Sequence, residues 1–291
     1  MATPRRLSLL AASALVVVGA VACGSDSKKA APTPAAEIQL TNYAYSITGS
    51  PTVGGTIRVR NTGDELHMIG LAKLKGGKTI SDLRDALTAD GEAAIGGIAD
   101  EAPLPLGGLF APGVTVDLTI PDVAAGDYAM ICFLPTEGTG KPHYVNGMIN
   151  ELLVASSAGA APKADATYKV EAAALSGPDK LKAGYQSLAI DVGDGAGGLE
   201  LGVAKLPDGK SFKDVFDDVN GRFDTIFGAE SGPPKGAGLE IAKTLQFQLH
   251  DFNDVKHLDI GFTFAKGRYA IVVVDTDTDK PVPYAVEITV S

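Results

Sequence analysis

Side chains able to bind a metal ion are grouped within one short segment of the 291-residue chain. Cys132 is followed by His143 and Met148 in the spacing Cys-x10-His-x4-Met, and His67 lies upstream after a turn-forming Asn-Thr-Gly. The whole chain contains only four histidines and four methionines, so this grouping is unusual. Thiolate, imidazole and thioether are ligands of soft transition-metal ions. The alternative is that Cys132 is a small hydrophobic residue of the core, where lone cysteines are commonly found.

The order of these residues resembles that of the cupredoxins. In that family an early-strand histidine is followed by Cys, His and Met from one loop joining two strands. The loop here is longer than in plastocyanin-type proteins and closer to the type 1 sites of two-domain copper enzymes. The resemblance covers about residues 37–155 and implies one type 1 copper ion held by His67, Cys132, His143 and Met148. A sandwich that kept these residues without copper is the alternative.

The segments around these residues predict short strands and tight turns. Apolar residues alternate with polar ones from Glu37 onward, as in Ile38/Leu40 and Ile57/Val59, and glycine-containing turns separate the runs. This period of two is typical of half-buried strands in a β-sandwich. Residues 79–89 have apolar residues at helical spacing instead and predict a short helix packed on the sandwich.

The second part of the chain repeats the first. Residues 71–83 match residues 203–215 without a gap, and Gly-Asp-Tyr-Ala at 126–129 matches Gly-Arg-Tyr-Ala at 267–270. We therefore predict an all-β protein of two cupredoxin-like Greek-key β-sandwiches in tandem, each with a short helix. Leu199 and Val273 stand where the first copy has His67 and Cys132, so the second sandwich is expected to lack metal ligands.

The N-terminus resembles a bacterial lipoprotein signal. Arg5 and Arg6 precede an apolar run at 9–18, and small residues lead into Cys23. This implies removal of residues 1–22, acylation of Cys23 and export, with a lipid anchor on the outer face of the cell membrane. An ordinary secretory signal is the alternative, and both the general and the twin-arginine export routes stay open. The predicted divisions are a signal at 1–22, a flexible tether at 23–36, a copper domain at 37–155, a linker at 156–166 and a second domain at 167–291.

The net charge of the protein limits the classes of partner that it can bind. The formal net charge is −10, and loss of residues 1–22 with their two arginines would make it −12. Such an acidic body is expected to repel nucleic acid and anionic lipid headgroups, whereas a basic redox partner protein would be attracted.

The function expected from these features is that of a membrane-tethered one-electron carrier. Copper enzymes of the laccase type need additional histidines, and only His250 and His257 are unassigned, so we expect no enzyme activity. The alternative is a copper-holding or metal-free lipoprotein that binds a partner without a redox role. In the carrier, His143 is expected to reach the surface as the electron port, within an apolar patch that includes Leu134 and Val145.

Two other sequence patterns that are typical of metal sites do not lead us to predict a metal site. The acidic stretch at 275–279 resembles the start of a calcium loop, but Lys280 replaces the required glycine and Val286 the final glutamate. A solvated hairpin loop is therefore expected there. His250 and His257 lie seven residues apart and are expected to be surface histidines.

Overall fold

A computed structural model describes residues 29–101, 107–119, 124–171, 174–194, 198–227, 232–249, 255–275 and 282–291. The predicted signal and Cys23, His250 and most of the 275–279 stretch lie outside these ranges. Among the described residues, no helix combines the length and apolarity needed to cross a bilayer.

The first half of the chain consists of short strands with one main helix. The strands are β1 (Ala36–Thr41), β2 (Ala44–Gly49), β3 (Thr52–Val53), β4 (Thr56–Asn61), β5 (His67–Leu74), β6 (Ala99–Glu101), β7 (Gly108–Phe110), β8 (Thr115–Thr119), β9 (Gly126–Ile131) and β10 (Ile149–Ala158). The helices are α1 (Ile80–Asp90) and the single turn α2 (Ile95–Ile98).

The second half follows the same order. Its strands are β11 (Ala166–Glu171), β12 (Ala174–Ser176), β13 (Lys180–Leu181), β14 (Gly184–Val192), β15 (Leu199–Leu206), β16 (Leu245–Leu249), β17 (His257–Phe264), β18 (Gly267–Asp275) and β19 (Val282–Val290). The helices are α3 (Phe212–Phe227) and α4 (Ala237–Ala242).

The main helix of each half begins with the same cap. In α1 the Thr79 side chain accepts from the backbone N–H of Asp82, and the Asp82 carboxylate accepts from the Thr79 backbone. Ser211 and Asp214 make the same reciprocal bonds at the start of α3. These capping boxes satisfy backbone donors that the first helical turn leaves unpaired. The predicted helix at 79–89 is thus confirmed, and its cap recurs 132 residues later.

The described strands form two sheets, and both sheets run through both halves. One has the order β12-β11-β14-β17-β8-β4-β1-β2, and the other β13-β19-β18-β15-β16-β7-β5-β9-β10-β3, with β6 paired to β5. The halves meet edge to edge where β8 pairs with β17 and β7 pairs with β16, each time antiparallel. The largest apolar core lies between the sheets and includes residues of both halves.

The pairing registers show that the repeat is structural. Leu71 pairs with Met130 in the first half, and Val203 pairs with Ile271 in the second. These pairs keep the offsets of the two sequence matches, 132 and 141 residues. Leu199 and Val273 consequently lie at the positions of His67 and Cys132, and both are buried core residues. The all-β fold class, with two tandem sandwiches, is confirmed, while the residue boundaries of the domains stay a prediction.

A buried polar cluster joins the two halves at the β8–β17 edge. Asp117 on β8 receives two hydrogen bonds from the Arg58 guanidinium, at 2.7 and 2.8 Å, and one from the Tyr185 hydroxyl of the second half at 3.0 Å. The Tyr185 ring lies directly over Gly261, where a Cβ atom would come within 1.9 Å of the hydroxyl oxygen. Glycine is therefore required at 261 for the tyrosine to reach Asp117.

Candidate metal centre

Four segments of the first half meet at one end of the sandwich. His67 is the first residue of β5, Cys132 follows the last residue of β9, His143 begins a 3₁₀ turn, and Met148 directly precedes β10. The loop from 132 to 148 is closed by backbone hydrogen bonds: the Cys132 N–H donates to Met148 O at 3.1 Å, and the His143 N–H donates to Leu134 O at 2.8 Å. The loop is therefore held in one shape by its own backbone.

The side chains of His67, Cys132 and His143 converge inside this frame. The two Nδ1 atoms are 3.3 Å apart, and Cys132 Sγ is 3.4 Å from His143 Nδ1. All three donor atoms lie within 4.8 Å of one another, and within the described ranges no other histidine, cysteine and acidic side chains form such a group. Ligands about 2 Å from a metal in a trigonal plane would be separated by about 3.5 Å. The spacing therefore suits a metal ion bound between the three atoms.

Burial keeps all three groups electrically neutral. It lowers the pKa of His67 to about 3, with a contribution from nearby His143, and it lowers the pKa of His143 to about 4. Burial also raises the pKa of the Cys132 thiol to about 12, against the opposing effect of backbone hydrogen bonds from Met68 and Leu134. A bound cation would supply the charge that these buried donors lack, with release of the thiol proton.

The donor set fits copper. It combines one thiolate with two imidazoles, the set that binds copper in trigonal electron-transfer sites. Each imidazole directs Nδ1 toward the centre, while within the described part of the chain both Nε2 atoms are buried without a hydrogen-bond partner. The Met68 N–H donates to Cys132 Sγ at 3.3 Å, which aligns the sulfur. Met68 itself is half-buried and packs on the core.

Met148 lies beside this group. It is fully buried in the same core as Cys132, and its N–H donates to His143 O at 3.1 Å. The structure thus places its backbone next to two of the three donors, and its role as fourth ligand stays a prediction.

Several supporting residues were not identified from the sequence. Glu65 Oε2 lies 3.0 Å from His143 Nε2, but the two atoms do not form a hydrogen bond. Tyr43 donates to Glu65 Oε1 at 3.0 Å, and its ring meets the His143 ring edge-on at 5.0 Å. Tyr43 lies 100 residues before His143 in the chain, and no local pattern links it to the site.

The Asn-Thr-Gly turn before β5 also supports the centre. The buried Asn61 amide donates to Glu65 O at 2.9 Å and to Phe110 O at 2.8 Å, and its oxygen accepts from the Gly63 N–H. At Gly63 a Cβ atom would lie 2.7 Å from His67 Nε2. The turn thus anchors the start of β5 and leaves room for the His67 ring, and the Asn-Thr-Gly sequence was the signal that could have indicated this.

The second half covers the loop that carries His143. Glu137 accepts hydrogen bonds from the N–H groups of Gly236 and Gly238, and the Gly138 N–H donates to Pro233 O at 3.0 Å. His143 is consequently only 1% exposed. The expectation that its ring reaches the surface is wrong, because residues 232–238 pack over the loop.

The expected apolar patch around His143 is only partly present. Leu134 is 3% exposed and belongs to the core, so it is unavailable for docking. Val145 is 56% exposed, as that expectation requires. The difference arises because Leu134 O accepts the His143 N–H and lies inside the closed loop, whereas Val145 lies on the outer side of the 3₁₀ turn.

Comparisons with known proteins find likenesses among solved structures only. No family model matches the chain, and no curated protein matches it. A dithionite-reduced auracyanin from the photosynthetic bacterium Roseiflexus castenholzii is 26% identical over 41% of this chain and 94% of its own, with a TM-score of 0.24. Auracyanin B is 20% identical over 44% of this chain and 95% of its own, with a TM-score of 0.25. A multicopper oxidase is 12% identical over 88% of both chains, with a TM-score of 0.24.

Proposed function

We propose that the protein is an exported, membrane-tethered carrier of single electrons that holds one copper ion between His67, Cys132 and His143. The convergence of two Nδ1 atoms and one sulfur in a buried, backbone-braced pocket is the observation that supports this most strongly. Copper bound there would supply one-electron exchange between Cu(I) and Cu(II). The protein would fix the positions of the three donor atoms, so that the site reorganises little when an electron is exchanged.

The half-exposed edge of the site is the proposed route for electrons. The Tyr43 ring contacts the buried His143 ring and is partly open to solvent, as is Glu65 beneath its hydroxyl. Asp64 and Glu137 lie near Glu65, so this edge is acidic. A basic partner protein would be steered toward it by charge.

We propose a carrier in preference to an enzyme. A copper enzyme of the laccase type would need further histidine ligands near the first copper. Of the four histidines, two belong to the site, and His257 is engaged on both ring nitrogens by Asp191 at 2.7 Å and Asp259 at 3.3 Å. The lipid anchor at Cys23 remains part of the proposal and rests on the N-terminal sequence.

Copper reconstitution tests the function. The mature protein should bind one Cu(II) per chain and turn blue through charge transfer from the Cys132 thiolate, and Cys132→Ser should abolish the colour while the fold persists. Colourless protein without stoichiometric copper would refute the proposal. A blue protein that exchanges no electrons with any small redox mediator would support copper holding instead.

The tether is tested separately. Cys23→Ala should release the protein from membranes, or stop its processing, without changing copper binding. Membrane retention of a correctly cleaved variant would exclude the lipid anchor.

A further inference from the structure

A large cavity lies between helix α3 and the outer face of the larger sheet. Its volume is about 270 Å³, and most of its lining is apolar. An engineered apolar cavity of about 150 Å³ is already large enough to bind benzene. The cavity opens to solvent beside the exposed Phe227 ring, so a small molecule can enter it.

The first half shows what fills the corresponding space. There the Phe133 ring lies against Gly70, where a Cβ atom would come within 2.9 Å of the ring. The strand registers place Gly202 and Val274 at these two positions in the second half. Around Gly202 the nearest atom to a built Cβ is 3.5 Å away, a carbonyl oxygen of the sheet. The second half therefore leaves open a space that an aromatic ring occupies in the first.

The walls of the cavity suit a flat ring. Helix α3 contributes Phe212, Phe216 and Phe223, which are half-buried, and Phe227, which is 57% exposed. Phe212 and Phe216 are in tilted contact at 5.6 Å, and Phe223 and Phe227 are stacked at 6.2 Å. Aromatic side chains gain energy from stacked or edge-on contacts with another ring. These four rings would complete such contacts around a bound aromatic molecule.

Polar groups occur on both sides of the apolar space. On the sheet side the Gln248 amide donates to the Glu200 carboxylate, and Asn220 lines the cavity from the helix. A few polar groups in a mostly apolar pocket orient a ligand and define its class. The Glu200 carboxylate favours a ligand whose hydroxyl group can donate a hydrogen bond, and it disfavours an anionic ligand.

We propose that this cavity binds a small, neutral, planar aromatic molecule with a hydroxyl group, whose ring takes the place that Phe133 takes in the first half. One or two fused rings fit the volume, and the hydroxyl would face Glu200 and Gln248. The site does not depend on the copper proposal, because its lining comes mainly from α3 and the second-half strands.

Binding of 1-naphthol to the mature protein tests the site directly. The chain has no tryptophan, so naphthol fluorescence can be followed without that background. Saturable binding of one naphthol per chain and a raised melting temperature are expected. Absence of saturable binding up to the solubility limit of naphthol would overturn the proposal.

Two variants that fill the cavity locate the bound probe. Val274→Phe restores the ring of the first half, and Gly202→Val projects a branched side chain from a strand position that accepts one. Each should weaken naphthol binding by at least about tenfold, and Val274→Phe should raise the melting temperature of the free protein. Leu153→Ser, on the exposed side of β10, should change neither property. Wild-type affinity in a folded Val274→Phe protein would overturn the proposal even if Gly202→Val failed to fold.

Discussion

Glu137 of the metal-binding loop accepts a hydrogen bond from the backbone N–H of Gly236 in the second half, at 2.6 Å. The same carboxylate accepts from the Gly238 N–H at 3.2 Å, so its two oxygens bind the N–H groups on either side of Ala237, at the start of α4. Through this contact the second half packs on the loop that carries His143, whose ring is only 1% exposed.

Replacing Glu137 should loosen this cover. Glu137→Gln loses the charge and one acceptor oxygen, and hydrogen bonds to charged groups contribute about 1.5–3 kcal/mol. We expect the free energy of unfolding to fall by about 1–2 kcal/mol and copper to dissociate faster, because His143 becomes more accessible. Urea unfolding and copper transfer to a chelator measure the two effects.

A matched control is Glu151→Gln, which removes an exposed carboxylate from β10. It should leave both stability and copper release unchanged. Equal copper release from wild type and Glu137→Gln would contradict a covering role for the second half.

A methyl group at Gly63 should disturb the metal centre without touching a donor atom. In Gly63→Ala the new Cβ would lie 2.7 Å from His67 Nε2 and 2.6 Å from Asn42 Oδ1. Real Cβ contacts are not this short, so the turn at Gly63 or the His67 ring must shift. We expect weaker copper binding and a shifted visible absorption band. Gly76→Ala, where a Cβ meets nothing within 4 Å, should have neither effect. Identical spectra for the two variants would contradict a role of this turn in holding His67 at the metal.

Much of the candidate site could be predicted because its residues are close in sequence. Cys132, His143 and Met148 share one loop, and the repeat offsets identified Leu199 and Val273 as the counterparts of His67 and Cys132 in the second half. The supporting residues could not be predicted in this way. Tyr43 reaches Glu65 through a contact across 22 residues, and its hydrogen bond follows from how the β1–β2 turn packs against the turn before β5.

The way in which the two halves pair also could not be predicted from the sequence. Alternating apolar residues predict strands, and the repeat predicts two copies of a sandwich. Which strand edges pair depends on how the side chains of the two halves fit together in three dimensions. Here the absence of a side chain at Gly261 allows the Tyr185 hydroxyl to reach Asp117 in the other half. The covering of His143 was mispredicted for the same reason, since residues 232–238 are distant in sequence from the loop on which they pack.

His257, which lies outside the metal centre, should make stability depend on pH. Burial lowers the pKa of His257, but hydrogen bonds and charge from Asp191 and Asp259 outweigh this, so its pKa lies above the ordinary value. A raised folded-state pKa contributes stability that is fully present below the unfolded pKa of about 6.5 and is lost as the pH rises through the folded value. The contribution of His257 should therefore decline as the pH rises from about 6.5 through the raised folded-state pKa.

Comparing His257→Gln with wild type across this range isolates the effect. The variant should be less stable than wild type at the acidic end, and the difference should shrink toward the basic end. Lys256→Gln removes the neighbouring charge, which pairs with Asp194, and should lower stability evenly across the range. A His257→Gln difference independent of pH would contradict the ion pairing.

The buried joint between the halves should couple their unfolding. Tyr185→Phe removes one hydrogen bond to Asp117 but leaves the two from Arg58 in place. Because the acceptor is a buried carboxylate, we expect a loss of about 1.5–3 kcal/mol. Tyr168→Phe removes a bond to the neutral Pro178 carbonyl within the second half, and its loss should be smaller, about 0.5–1.5 kcal/mol. Both sheets and the main core continue across the joint, so each variant should unfold in a single transition, shifted to lower denaturant. Separate transitions for the two halves, with only one of them shifted by Tyr185→Phe, would show that the joint does not couple them.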